Sequence, residues 1–131
     1  MRNFVKFPEM YRALVETPRK LTVVLENRPH KYMFGVQNYG EILNHYNPAD
    51  RDMWDVIVVG YSDKIPTGVP FRVTKLLGVY MLPNGNHKLI VDIERGLFRV
   101  RDDIKIEVEC YKKNYESFTK LRGSLIFFKK Y

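Results

Sequence analysis

The chain predicts a small antiparallel β-barrel with helices packed against it. Short β-branched and apolar runs recur along the sequence, and each is bounded by Gly, Pro, Asn or Asp clusters that turn the backbone. Pro83-Asn84-Gly85-Asn86 is the strongest of these turns, a hairpin signal between two long extended segments.

In chain order, Pro8 to Glu16 carries Met10, Tyr11, Leu14 and Val15 at helical spacing before Pro18, so it predicts a short helix that covers an apolar face. Leu21 to Leu25 is a β-branched strand, Lys31 to Val36 a second extended segment, and Asn38-Tyr39-Gly40 has the composition of a turn. Trp54 to Val59 is an apolar strand ended by Gly60 and Ser62, and Ile65 to Gly68 is a loop. Phe71 to Leu82 is extended with Gly78 in its middle, which predicts a bulge or a bend. His87 to Ile93 is the returning strand. Beyond Asp102, the alternation of Ile104, Ile106, Val108 and Cys110 fits a strand, yet Ile104, Val108, Tyr111, Tyr115 and Phe118 share one helical face. The paired acids at Asp102 and Asp103 suit a helix N-terminus and favour the helix. Gly123 then reads as the helix stop and Ser124 to Phe128 as a terminal strand.

With 131 residues, 45% of them hydrophobic, the chain is expected to be one domain, 1–131, that buries a core without staples. Its single cysteine, Cys110, excludes an intrachain disulfide and points to a reducing compartment rather than a structural zinc site. No apolar run approaches a membrane span and the start of the chain lacks a signal-peptide core, so a soluble, cytoplasmic protein is expected. Lys and Arg number 22 against 15 Asp and Glu, a formal charge of +7, which attracts polyanions without locating a site.

The stretch most suited to chemistry is Asp50-Arg51-Asp52-Met53-Trp54-Asp55, three carboxylates at i, i+2 and i+5 at the mouth of a strand. Magnesium-class ions take hard oxygen ligands, and closely spaced Asp side chains on a short segment can converge on them. An acid-rich turn before a strand can equally be no more than a solvated loop.

Several segments occur in one order: Val23-Val24-Leu25-Glu26, Lys31-Tyr32, Asn38-Tyr39-Gly40, Asp50-x-Asp52-x-x-Asp55-Val56, Leu77-Gly78-Val79 and Lys88-Leu89-Ile90-Val91. This order resembles the soluble inorganic pyrophosphatases, whose signature is D-x-D-P-x-D-V preceded by N-Y-G. The resemblance covers positions 21–93 and implies a distorted five-stranded OB-like barrel with outer helices. It also implies hydrolysis of pyrophosphate to two phosphates with Mg2+. By the resemblance Asp50, Asp52 and Asp55 are metal ligands, and Asp52 also activates the attacking water. Glu26 forms the acidic edge, while Lys31, Tyr39, Lys88 and Tyr115 contact phosphate or an acidic neighbour.

This sequence departs from the family pattern at several points. The hairpin after Leu77-Gly78-Val79, which in the family holds two more metal-binding aspartates, is shortened here to Pro83-Asn84-Gly85-Asn86-His87. Met33 stands where an acid is usual, Met53 replaces the signature proline, and Glu116 follows Tyr115 where a lysine is usual. Asp92, Glu94 and His87 are the nearby groups able to compensate.

Two functions follow. One is a metal-dependent pyrophosphatase whose partners are pyrophosphate and further copies of the chain in a homo-oligomer, with no membrane. The alternative is a catalytically weak barrel of the same kind acting as a nucleic-acid-binding or protein-interaction module. Lys112, Lys113, Lys120, Arg122, Lys129 and Lys130 would supply its basic surface.

Overall fold

In the computed structural model the elements run in the order α1 (Phe7–Glu16), a 3-10 turn (Pro18–Lys20), β1 (Thr22–Leu25), β2 (Asn38–Tyr46), β3 (Met53–Val58), β4 (Pro70–Met81), β5 (Lys88–Ile93), α2 (Arg101–Thr119) and β6 (Ser124–Phe127). The structure describes residues 2–27, 33–36, 38–60, 65–94 and 101–128. Strands pair as β1-β2-β3-β5-β4, and β4 returns to β1, which closes a five-stranded barrel; β6 adds to β4 as a sixth strand. The fold is mainly β, with the two α-helices outside the barrel.

One pairing departs from the antiparallel expectation. Val56, Ile57 and Val58 of β3 lie opposite Leu89, Ile90 and Val91 of β5 in parallel register. The cause is topological: strands that alternate direction all the way around a closed ring must be even in number, so five strands force at least one parallel neighbour pair.

Strand side chains alternate between two apolar layers, which is why β3 and β5 read as continuous hydrophobic runs. Trp54, Val56 and Val58 of β3, with Leu89, Val91 and Ile93 of β5, join one core that α1 completes with Met10 and Leu14. Ile57, Val59 and Ile90 point to the other face, where α2 covers them with Ile104, Val108, Tyr111 and Tyr115. That settles the ambiguity beyond Asp102: Ile106 is 67% exposed and Cys110 is exposed, as helical spacing requires and strand alternation does not.

Asn38-Tyr39-Gly40, expected to be a turn, instead opens β2. Gly40 is required there for close approach, since a Cβ would sit 2.4 Å from the carbonyl oxygen of Val24 on β1. Of the expected extended segment from Lys31 to Val36, Met33–Gly35 form a turn, with Phe34 and Gly35 at φ of 51° and 94°; Lys31 and Tyr32 lie outside the described residues. At Gly78 the β4–β5 register shifts, the predicted bulge. Helix α2 is stopped by Lys120 in the left-handed region (φ 66°), not by Gly123. Gly123 serves contact, with the Met81 carbonyl oxygen 2.4 Å from where its Cβ would be.

Glu116 ties α2 to the barrel. Its Oε2 accepts from Tyr80 Oη at 2.8 Å and Gly123 N at 2.9 Å, and Lys112 Nζ is 3.0 Å away. Partial burial raises the Glu116 pKa, but the three donors and the Lys112 charge outweigh it and hold the carboxyl below its usual range. On the other side of the barrel, His87 Nδ1 accepts from Leu82 N at 2.9 Å, and its ring packs against Phe7 and Trp54. Burial, then the charge of Lys88, push the His87 pKa down.

Two predictions follow from these contacts. Gly40→Ala must push β1 and β2 apart and should destabilise the protein by about 1–3 kcal/mol, read by chemical denaturation; an unchanged midpoint contradicts the close approach. Acid should also lower the protein's stability in two windows. His87, lowered in the fold, costs stability as pH falls below its ordinary value of 6.5, because the unfolded chain takes the proton first. Glu116, also lowered, supplies stability that is lost only as pH falls below 4.5. His87→Gln, which keeps an acceptor, should remove the first window and Glu116→Gln the second.

Candidate functional site

Asp55 and Lys88 begin the parallel pair. Since Val56 lies opposite Leu89, the preceding residues are neighbours, and both point to the α2 side because their parity is that of Ile57 and Ile90. Lys88 Nζ sits 2.7 Å from Asp55 Oδ2, with side-chain exposures of 4% and 12%. The ammonium also lies 5.8 Å from the ring centre of Tyr39 on β2 and 5.5 Å from that of Tyr115 on α2. Tyr111 stacks between these rings, 6.2 Å from Tyr39 and 5.6 Å from Tyr115, and Phe34 meets Tyr111 and Tyr115 edge-on.

Above this floor opens a polar cavity of about 370 Å³, near the lower end of the ~300–1,000 Å³ usual for small-ligand sites. Glu26, Tyr39, Asp50, Asp52, Asp55, Lys88 and Tyr115, all singled out in the sequence, line it. Lys31 lies outside the described residues. Phe34, Glu41, Asn86 and Tyr111 also line the wall and were not singled out. Glu41 is directly opposite Asp55 across β2 and β3, an acid facing an acid; strand register would have revealed it had Asn38–Gly40 been read as strand. Asp92, Glu94 and His87 do not line the cavity. Asp92 Oδ1 accepts from Ile93 N and Glu94 Oε1 from Arg72 N, while His87 is held by Leu82. Glu116 accepts from Tyr80 and is not among the lining residues.

The three aspartates differ in what they hold. Asp50 Oδ1 accepts from Asp52 N at 3.1 Å, forming the turn that presents both. Asp55 is committed to Lys88. The Asp52 carboxylate is exposed and takes no hydrogen bond or ion pair among the described residues. Partial desolvation pushes the Asp50 pKa up; the Asp52 amide opposes this, the Asp55 and Asp52 charges add to it and Lys88 offsets part.

Five carboxylates and one ammonium on the described wall leave it with a formal charge of −4, in a chain of net charge +7. Among the described residues the ligand-type donors of the wall are hard oxygens, and Asn86 contributes a buried Oδ1 without a hydrogen-bond partner. In donor chemistry this set fits hard divalent cations. The carboxylates are nevertheless spread around the wall: among the described residues no three His, Cys, Asp or Glu side chains converge as a ready ligand cluster. Asp55 is drawn to Lys88 rather than toward its fellow carboxylates.

No protein-family profile matches the chain, and no curated protein sequence does. Among solved structures, an inorganic pyrophosphatase from Coxiella burnetii is similar, with 19% identity and a TM-score of 0.44 over 67% of this chain. The chain spans 59% of that structure's length, and the likeness is a distant one of fold. Among the described residues, no helix is long and apolar enough to cross a membrane.

Because folding raises the Asp50 pKa, its contribution to stability is present below 3.8 and is lost as pH rises through the folded value. Asp50→Asn keeps the turn-forming oxygen and removes the charge. The variant should therefore melt above the wild type at pH 7, with the gap closing below pH 3.8; a lower melting temperature at pH 7 contradicts the electrostatic account.

Proposed function

We propose that the acid-lined cavity binds pyrophosphate together with hard divalent cations, magnesium first among them, and hydrolyses it to two phosphates. The observation that carries this reading is the charge of the described lining: five carboxylates around one buried lysine give it a formal charge of −4, which disfavours a bare phosphate polyanion and favours one that arrives with cations. The Asp52 carboxylate, the Asp50 oxygen not engaged by Asp52 N and the Asn86 Oδ1 are the oxygens that would hold such ions. Bound there, the cations would neutralise the phosphates and polarise their P–O bonds.

The chain's own groups divide the remaining work. Lys88, fixed by Asp55 and two tyrosine rings, keeps N–H donors beyond the one given to Asp55 and directs them at phosphate oxygens. Asp52 is the general base, the one aspartate of the three whose carboxylate is neither capping a turn nor paired to Lys88. A water oxygen bonds to one phosphorus, the bridging P–O bond breaks, and the second phosphate leaves with the bridging oxygen. The water proton passes to Asp52. Tyr39 and Tyr115 flank Lys88, and Tyr111 stacks on both of their rings to complete the floor.

Phosphate release from pyrophosphate by the purified full chain with magnesium tests this directly. Turnover should be measurable in the wild type and fall about 10²-fold or more in Asp52→Asn, with the melting temperature preserved. A wild type that releases no phosphate, or a folded Asp52→Asn that keeps full turnover, overturns the assignment. Millimolar magnesium should also raise the wild-type melting temperature, and raise that of Asp50→Asn less, since binding to the native state alone stabilises it.

A further inference from the structure

The N-terminal arm is laid along the end of β2, beside the turn that carries the acids. Phe4 bridges Tyr46 in parallel register, Val5 N donates to Tyr46 O at 2.8 Å, and Tyr46 N donates to Asn3 O at 2.9 Å. Arg2 Nη1 then donates to the Arg51 carbonyl oxygen at 2.8 Å, and its guanidinium lies 5.0 Å over the Tyr46 ring. The Arg51 guanidinium lies 4.9 Å over the Phe4 ring, and the two rings are 6.0 Å apart. Cation, ring, ring and cation form one ladder at the surface, with Arg2 and Arg51 exposed and Phe4 38% exposed.

Two features distinguish this ladder from a simple anchor for the arm. The backbone bonds of Asn3, Val5 and Tyr46 hold the arm independently of the two guanidinium faces. Arg51 stands between Asp50 and Asp52 yet pairs with neither; it takes the left-handed region at φ 64° and stacks on Phe4 instead. Its flanking acids line the cavity, so the ladder begins within one residue of the cavity lip.

We propose that this ladder is a second subsite, which takes the nucleoside end of a nucleotide whose phosphates reach toward the acid-lined cavity. A planar guanidinium on an aromatic ring offers a flat cationic surface for a base and in-plane N–H donors for phosphate oxygens. An inorganic polyphosphate uses only the second property, whereas a nucleotide uses both. The direction of the phosphates rests on the cavity reading above; the stacking site does not.

Titration calorimetry on the full chain separates the two, using adenosine 5'-monophosphate and ribose 5-phosphate. These probes differ only in the base, and neither contains an anhydride. Adenosine 5'-monophosphate should bind at least tenfold more tightly than ribose 5-phosphate. Arg51→Lys and Arg2→Lys, which keep the charge and lose the flat face, should each reduce that preference to below threefold at an unchanged melting temperature. Asp52→Asn should leave the preference intact. Equal affinity for the two probes, or a full preference in both Arg→Lys variants, overturns the subsite. A retained base preference in a chain that releases no phosphate from pyrophosphate overturns the cavity reading and leaves the subsite standing.

Discussion

The ion pair between Asp55 and Lys88 is the interaction around which the rest is arranged. It exists because a closed ring of five strands needs a parallel pair, and β3 beside β5 is that pair. Their register sets Asp55 against Lys88, and the period of two sends both to the α2 face. A lysine only 4% exposed is costly to desolvate. Its carboxylate partner and the two tyrosine rings offset that cost, and one of those rings arrives from α2, some sixty residues away in sequence from Asp55. Helix α2 therefore covers the sheet and also completes the floor of the cavity.

Around that floor the protein tolerates arrangements a structural site would avoid. Glu41 faces Asp55 across two strands, the Asp50 charge is disfavoured by folding, and Asn86 buries an oxygen with no partner among the described residues. The second apolar layer, built from the inner sides of the strands and from α1, is independent of these groups and supplies stability that the site does not. Such a division, with local rules broken in one hollow and kept elsewhere, supports the proposal that the hollow binds cations.

Much of the fold was legible in the sequence, because its punctuation is strong. The helix before Pro18, the strand after the acids, the bulge at Gly78, the Pro83–Asn86 hairpin and the long C-terminal helix all follow from periodicity and turn chemistry. What failed did so for identifiable reasons. Gly40 reads as a turn residue, but here it answers to the carbonyl of Val24, a contact between strands distant in sequence. With β2 misread, Glu41 had no parity and stayed outside the site. Gly123 likewise reads as a helix stop, whereas Lys120 takes the left-handed position and Gly123 makes room for Met81. The spacing of Asp50, Asp52 and Asp55 was visible, but their separate tasks were not: turn capping, a free carboxylate and a lysine partner are set by backbone and register. The role of the N-terminal arm depends on its bridge to Tyr46, which no local pattern announces.

The hollow above Lys88 is proposed to admit a phosphoanhydride only in company with divalent cations. Titration calorimetry of imidodiphosphate, a non-hydrolysable pyrophosphate analogue, against the full chain tests this most directly, with and without magnesium. Binding should be saturable in magnesium, weaken at least tenfold when the metal is chelated, and be lost in Asp50→Asn combined with Asp52→Asn. Binding of equal strength without magnesium, or none in its presence, would contradict it.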